Sequence, residues 1–316
     1  MLTNALFTAI IINILASTIR MSTPLLTAAL GELVTERSGI MNLGVEGSML
    51  MGAWIGFLVT YQTGSAVLGI LAAILTGGIM GLIMVFMATT MKVDQTVTGL
   101  ALNLLAAGAS YFWYQVVFSN FGTGSDNLPT IKILQNIKLP LLGDIPFLGT
   151  ILFNHTILTY IAFLMVPVIW FFLYRTKYGL RIRGVGENPR AVDMKGVNVS
   201  ALQYFAVIFG GMMAGLAGAF LTVGASSRFV PAISGGRGWL AITIVIAGNW
   251  KPSRIVAATL IFAFLDAFQL QMQGIGVQVP YDILLALPYI SAIVVLAVSR
   301  ARSQAPAWLG NAYERE

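Results

Sequence analysis

The polar side chains able to do chemistry gather in a few places. The first is Ala28–Trp54, AALGELVTERSGIMNLGVEGSMLMGAW, which sets Glu32, Glu36, Arg37, Asn42 and Glu46 among apolar residues and interrupts them with Gly31, Gly39, Gly44, Gly47 and Gly52. Charged groups are costly in a membrane and face a protein interior or a watery path. Glycine lets a helix break and turn and lets neighbours approach closely. The stretch reads as a broken helix, with Glu36, Arg37, Gly39, Gly44 and Gly47 at a gate and Asn42 and Glu46 on a translocation path. The alternative leaves Glu36 and Arg37 solvated on a turn over Thr35–Asn42.

The second place is RTKYGLRIRGVGENPRAVDMKGVNVSALQY. Arg175 to Lys195 holds six of the chain's 18 basic residues against two acids, Glu187 and Asp193. Asn188 precedes a proline and is biased away from helix. Pro189 suits a first helical turn, with Asn188 as N-cap. A short helix over Pro189–Lys195 then stops at Gly196. A plain basic loop would explain the arginines but not the Glu-Asn-Pro-Arg order. The third place is a late helix with Asp266, Gln269, Gln271 and Gln273, where Gln269 and Gln273 share a face at i, i+4.

No catalytic constellation accompanies them. There is no GxxxxGK[ST] loop and no HExxH pair. With no cysteine, thiolate chemistry and thiolate metal sites are excluded, and the single histidine, His155, cannot build a metal site alone. The chain is expected to be neither an enzyme nor a metal protein.

The elements that must position these groups follow from composition. Charged residues are 9% of 316, against roughly 25% in a soluble domain. Hydrophobic residues are 57% and mean hydropathy is +0.84. That excludes an ordinary soluble protein and a disordered chain, and the long unbroken apolar runs disfavour a barrel. The fold class is all-α, a polytopic helical membrane protein with about 8–10 transmembrane helices. The spans are Leu2–Ile19, Leu43–Tyr61, Ala66–Met91, Thr96–Phe118, Ile151–Tyr174, Ala201–Ala225, Arg254–Met272 and Tyr281–Ser299. Ser22–Thr35 and Gly238–Trp250 are short for a crossing and read as short or broken helices. The N-terminal apolar stretch lacks a basic n-region and reads as a retained helix.

The basic loop 175–200 belongs in the cytoplasm. With an even number of crossings, both termini face the cytoplasm too. The interval Ser119–Thr150, with Gly122, Gly124, Asp126, Asn127, Pro129, Pro140, Gly143 and Pro146, reads as an outside loop of turns with a short hairpin. It divides a single domain, 1–316, into five spans before and five after, a division compatible with structural repeats.

Two motifs then carry a resemblance. GELxxERSGxxNLGxEGxMLMGA over Gly31–Ala53 and YGLxxRxxGENPRAxxxxGxxV over Tyr178–Val199 resemble the permease subunits of ABC importers for nucleosides and simple sugars, within the ribose and branched-chain amino-acid permease group. Order, spacing and hydropathy agree across nearly the whole chain, and the match is nearest to the shorter permease of the bacterial nucleoside systems. The resemblance implies alternating access driven by ATP. The partners it implies are a second homologous permease or a copy of this chain, an ATP-binding subunit with two nucleotide-binding domains, and an extracytoplasmic substrate-binding lipoprotein. ATP and magnesium would sit on the ATPase, with no cofactor bound by this chain. It also implies that Gly186, Glu187, Asn188, Pro189, Arg190, Ala191 and Gly196 form the helix that docks on the ATPase, and that the membrane is the bacterial inner membrane.

For such cargo, a flat base and a polar ribose, amides and aromatic faces suit the path. Asn42, Glu46, Asn103, Trp239, Asn249 and Gln269 are the candidates, with Tyr111, Phe112, Trp113 and Gln115 near span ends, where aromatics also form interfacial belts. The competing class is a standalone ion-coupled carrier relaying protons through Glu46 and Asp266.

Overall fold

The computed structural model describes residues 2–119, 129–138, 145, 147–274, 281–299 and 304–314. The first helix, α1, runs unbroken over Leu2–Arg37, although it holds Pro24. Its hydroxyls are satisfied inside the helix: Thr18 donates to the Ile14 carbonyl at 2.8 Å, Ser22 to Ile19 at 2.7 Å and Thr27 to Thr23 at 2.7 Å. At 1.5 Å per residue, α1 is about 54 Å long, well beyond the ~30 Å hydrocarbon core.

Leu2–Ile19 and the short piece Ser22–Thr35 are thus parts of one continuous helix, and the five-and-five division does not hold. It also corrects the placement of both termini on one side. Asn13, Ser17 and Arg20 of α1 share a polar cavity with Asn136, Thr150, Asn154 and His155. The segment 304–314 lies at the other end, where Gly310 N–H donates to the Gly39 carbonyl at 3.0 Å and Trp308 N–H to the Gly186 carbonyl at 2.8 Å. That second end carries the arginine-rich loop and is called the basic end below.

After α1 the chain folds back through 38–44 into α2 (Val45–Thr63). Helix α3 (Ala66–Val85) continues through a π turn over Phe86–Thr90, and α4 covers Gln95–Phe118. The following interval contains a two-residue antiparallel pairing, β1 (Ile137–Lys138) with β2 (Asn154–His155), and a short helix α5 (Leu148–Leu152). Most of the glycines and prolines expected to turn this loop lie outside the described residues. Helix α6 (Ile157–Arg175) returns to the basic end, where α7 (Lys177–Glu187) and α8 (Pro189–Asp193) follow. Helix α9 (Val199–Ala219) extends through a π turn to Ser226. Turns over 227–236 lead to the short helix α10 (Arg237–Ala247), then α11 (Pro252–Gly274) and α12 (Tyr281–Ser299). Among the described residues, six helices are long and apolar enough to cross a membrane, and α10 is among the shorter apolar ones. The molecule is a polytopic helical membrane protein.

Helix α9 is the centre of the bundle and lies against α1, α2 and α3. In the α9 span, 78% of the most apolar window is buried, against 17% for α4. Glycine makes this possible. A Cβ on Gly211 would come within 2.3 Å of the Gly77 carbonyl oxygen, and one on Gly215 within 2.2 Å of the Ala73 oxygen. Between membrane helices, where lipid is as apolar as leucine, such close backbone packing supplies the association energy. Towards the end away from the basic loop, Trp54, Phe57, Tyr114, Phe118 and Phe229 pack as one aromatic cluster, with Trp54 and Phe229 centroids 5.1 Å apart. It ties α2 and α4 to the turns before α10.

Gly211→Ala should destabilise the protein by ~1–3 kcal/mol through overpacking against α3. Gly108→Ala, on α4 with nothing within 4 Å, should be neutral or up to ~1 kcal/mol stabilising from helix propensity. Thermal melting of the purified protein in detergent compares them, and equal effects would contradict the packing account.

Candidate functional site

Two stretches of non-helical backbone, 38–44 and 227–236, interrupt the bundle, and the polar candidates cluster around them. Backbone N–H and C=O groups away from water need partners. The first break obtains its partners from side chains. Met41 N–H donates to Gln95 Oε1 at 2.8 Å and Asn42 N–H to Glu32 Oε1 at 3.1 Å. Gly44 N–H donates to Asn42 Oδ1 at 3.0 Å, and Gly47 N–H to Asn103 Oδ1 at 2.7 Å. The other end of the Asn103 amide donates to the Leu43 carbonyl at 2.8 Å. Asn42 and Asn103, expected on a path, are thus engaged with backbone. Gly44 is the N-cap of α2, and Gly39 turns the chain at φ +87°.

Glu46 joins the two breaks. Its Oε1 accepts from Gly236 N–H at 2.9 Å and its Oε2 from Gly238 N–H at 2.6 Å. The carboxylate therefore occupies the N-terminus of α10, where unpaired N–H groups and the helix dipole favour negative charge. Next to it, Arg237 Nη2 contacts Asp266 Oδ2 at 3.3 Å, linking α10 to α11. Gln269 is buried on the same helix as Asp266, and Trp239 on α10 is 38% exposed. Glu46 and Asp266, the acids a proton-coupled carrier would use, are both engaged, and the ion-coupled alternative finds no support.

At the basic end, a second junction forms where α1, α7, the α10–α11 turn and the segment 304–314 meet. Glu36 is 1% exposed, so the solvated-turn reading fails for it. Its Oε2 accepts from the Trp250 indole N–H. Arg37 Nη2 donates to the Trp250 carbonyl at 2.8 Å, and its Nη1 stands 3.7 Å from Glu187 Oε1. Asn249 and Trp250 both take positive φ, +51° and +52°, and Asn249 Oδ1 accepts from Gln304 N–H at 2.8 Å. Asn249 therefore belongs to this junction and not to the set around Glu46.

The Asn-Pro motif folds as its residues dictate. Asn188 Oδ1 accepts from Ala191 N–H at 3.1 Å, Pro189 opens α8, and Gly196 (φ +75°) ends the turn after it. The helix is two residues shorter than the expected Pro189–Lys195. Arg190 is exposed, whereas Pro189 is buried. Gly186 and Glu187 are engaged within the chain. Glu187 Oε2 accepts from Ala307 N–H at 3.4 Å, and a Cβ on Gly186 would come within 2.4 Å of the Arg37 carbonyl oxygen. The segment 304–314 then crosses the face: Tyr313 hydroxyl donates to Asp193 Oδ2 at 2.9 Å, and Lys92 Nζ to Glu314 Oε1 at 2.7 Å.

Sequence reasoning missed Gln95, Trp250, Arg237 and Trp308. The available signals were the Asn-Trp-Lys-Pro turn over 249–252 and a tryptophan and a glycine, Trp308 and Gly310, in an otherwise polar tail.

Glu46→Ala would leave two part-buried N–H groups unpaired, at up to ~1–3 kcal/mol each. The variant should melt well below wild type, with Glu46→Gln intermediate because one acceptor oxygen remains. An unchanged melting temperature for Glu46→Ala would contradict the bridging role.

Comparison with known proteins agrees with this architecture. A family described as "Branched-chain amino acid transport system / permease component" matches residues 14–298. The chain is 37% identical to the "Putative glucose ABC transporter permease protein TsgC13" of Haloferax volcanii, over 96% of this chain and 98% of that protein. It is 34% identical to the guanosine ABC transporter permease protein NupQ of Bacillus subtilis, over 93% of each. Identity to the nucleoside ABC transporter permease protein NupC of Lactococcus lactis is 32%, over 93% of this chain and 94% of that one. No solved structure matches. A multi-pass bundle built on two supported helix breaks, matched end to end by transporter permeases, places this chain in the family of branched-chain amino acid transport system permease components of the plasma membrane.

Proposed function

We propose that this chain is the membrane-spanning subunit of an ABC importer that moves nucleosides or simple sugars inward by ATP-driven alternating access. The observation that carries this reading is α8. It is a capped, proline-initiated helix of five residues, held between the spans α6 and α9 and braced against the end of α1 through Glu187 and Gly186. Such an element can pass the movement of a docked subunit to two membrane helices and to the break after α1 at once. The Arg and Lys residues around it make the basic end the cytoplasmic one. They also give a surface whose charges fix register more than they add affinity.

The remaining parts follow from the same reading. ATP and magnesium bind to a separate subunit with two nucleotide-binding domains, which docks on Gly186–Gly196. A second permease, homologous or identical, completes the path. A binding protein delivers cargo at the end where Arg20, Asn154 and His155 lie. The names of the relatives, guanosine, nucleoside and glucose, support the cargo class. The convergence of α2 and α10 at Glu46 offers an element that could rearrange during access, because its contacts are few and lie between helices rather than within one.

Co-purification from native membranes tests the proposal. An ATPase subunit should accompany the chain, and a binding protein loaded with guanosine or glucose should stimulate hydrolysis. A chain that purifies alone and moves solute down an ion gradient would overturn it. Within the assembled transporter, Asn188→Ala removes a cap worth ~1 kcal/mol and should lower uptake roughly fivefold while basal hydrolysis persists. Unchanged uptake in both Asn188→Ala and Pro189→Gly would remove α8 from the coupling path.

A further inference from the structure

Between α6 and α9, at the basic end, two adjoining cavities form a groove. One of about 440 Å³ is lined by Phe172, Tyr178, Arg181, Asn198, Leu202 and Phe205 among others. The other, of about 160 Å³, is lined entirely by apolar residues, among them Met165, Val168 and Phe209. Phe172 and Phe205 line both, so the two are continuous, and no acidic residue lines either.

The groove opens sideways onto lipid. Along α6, Ile161, Leu164, Val168 and Phe171 are exposed on one stripe, and on α9 Phe205 is 51% exposed. Where α6 ends, a band of stacked cations begins: Arg175 over Trp170 at 5.8 Å, Arg183 over Tyr174 at 4.6 Å and Arg181 over Tyr178 at 5.8 Å. Helix α7 is too short to cross, yet Tyr178 and Leu180 are more than 60% exposed beside its basic residues. An exposed apolar and basic helix of this kind lies in the membrane interface. Arg183 is committed, since its Nε donates to the Leu173 carbonyl at 3.0 Å. Among the described residues, Arg181 has only the Tyr178 ring face and no carboxylate.

We propose that this groove binds an anionic phospholipid of the adjoining leaflet, its phosphate on Arg181 and Asn198 and one acyl chain along Phe172, Phe205 and Phe209. Charge complementarity and depth argue together for this occupant. A free phosphate would meet one guanidinium and leave the apolar groove unfilled, and a zwitterionic lipid would bring a cation into a band that is already cationic. The site goes beyond the transport reading and does not depend on which cargo is carried.

Native mass spectrometry of the full chain in detergent, with palmitoyl-oleoyl phosphatidylglycerol against phosphatidylcholine of the same chains, tests it. Phosphatidylglycerol should be retained, and Arg181→Gln should weaken its binding about tenfold, whereas Arg190→Gln on the exposed face of α8 should not. Equal retention of both lipids would overturn the proposal, as would equal loss in Arg181→Gln and Arg190→Gln. Displacement by glycerophosphate at the lipid's own concentration would assign the site to free phosphate instead. Burial of this face between two copies of the chain, seen as lipid-independent dimers, would also overturn it.

Discussion

Irregular backbone inside a membrane protein must find its hydrogen-bond partners within the protein, and that constraint organises this chain. The break after α1 is supported by Gln95 from α4, Glu32 from α1, Asn42 from the break itself and Asn103 from α4. The break before α10 is supported by Glu46 of α2. Side chains of α1, α4 and the break itself serve the first, and a side chain of α2 serves the second. The alternative, leaving N–H groups unpaired in an apolar medium, costs several kcal/mol per group. The aromatic cluster around Trp54 and the glycine contacts of α9 then fix the helices that carry these side chains. The polar residues most conspicuous in the sequence are therefore structural first. Any role in conduction has to be played by groups that also hold the backbone.

Much of this was legible in advance, and the exceptions have physical causes. The spans that become α3, α4, α9, α11 and α12, counting the π turns after α3 and α9, are visible as apolar runs with boundaries correct to within about two residues, because each is a long apolar stretch bounded by polar or turn-forming residues. The capped helix after Asn188 follows from local rules alone: a cap, a proline and a left-handed glycine. The split between Leu2–Ile19 and Ser22–Thr35 missed one continuous helix, in which Thr18 and Ser22 bond back to carbonyls of the preceding turn. The other failures were non-local. Glu46 and Asn103 were recognised as interior groups. Their partners, Gly236 and Gly47, are backbone sites that no pattern of side chains announces. Trp250 and the 304–314 segment were missed because their importance lies only in what they touch.

The basic end shows how local and distant effects combine. Glu36, Arg37, Gly186, Glu187, Trp250 and Trp308 come from four separate parts of the sequence and meet at one junction. The ion pair there, Arg37 with the half-exposed Glu187 at a long 3.7 Å, contributes little by itself. The indole of Trp250 on buried Glu36 and the backbone bonds of Gly186 and Gly39 to the tail make the junction a connected unit. The start of α2 follows from the same junction, since the chain leaving Gly39 enters the first break directly.

Gly186 adds a point about how sequence motifs of this kind should be interpreted. Its α-carbon lies against the Arg37 carbonyl so closely that no other residue fits, and its own carbonyl receives the tail. Natural selection would keep this glycine in a lineage that had lost every docking partner, as long as the fold itself was kept. Neighbouring Arg190 is exposed and meets no such steric demand. Within one five-residue signature, the first position thus answers to packing inside the fold and the last to the surface.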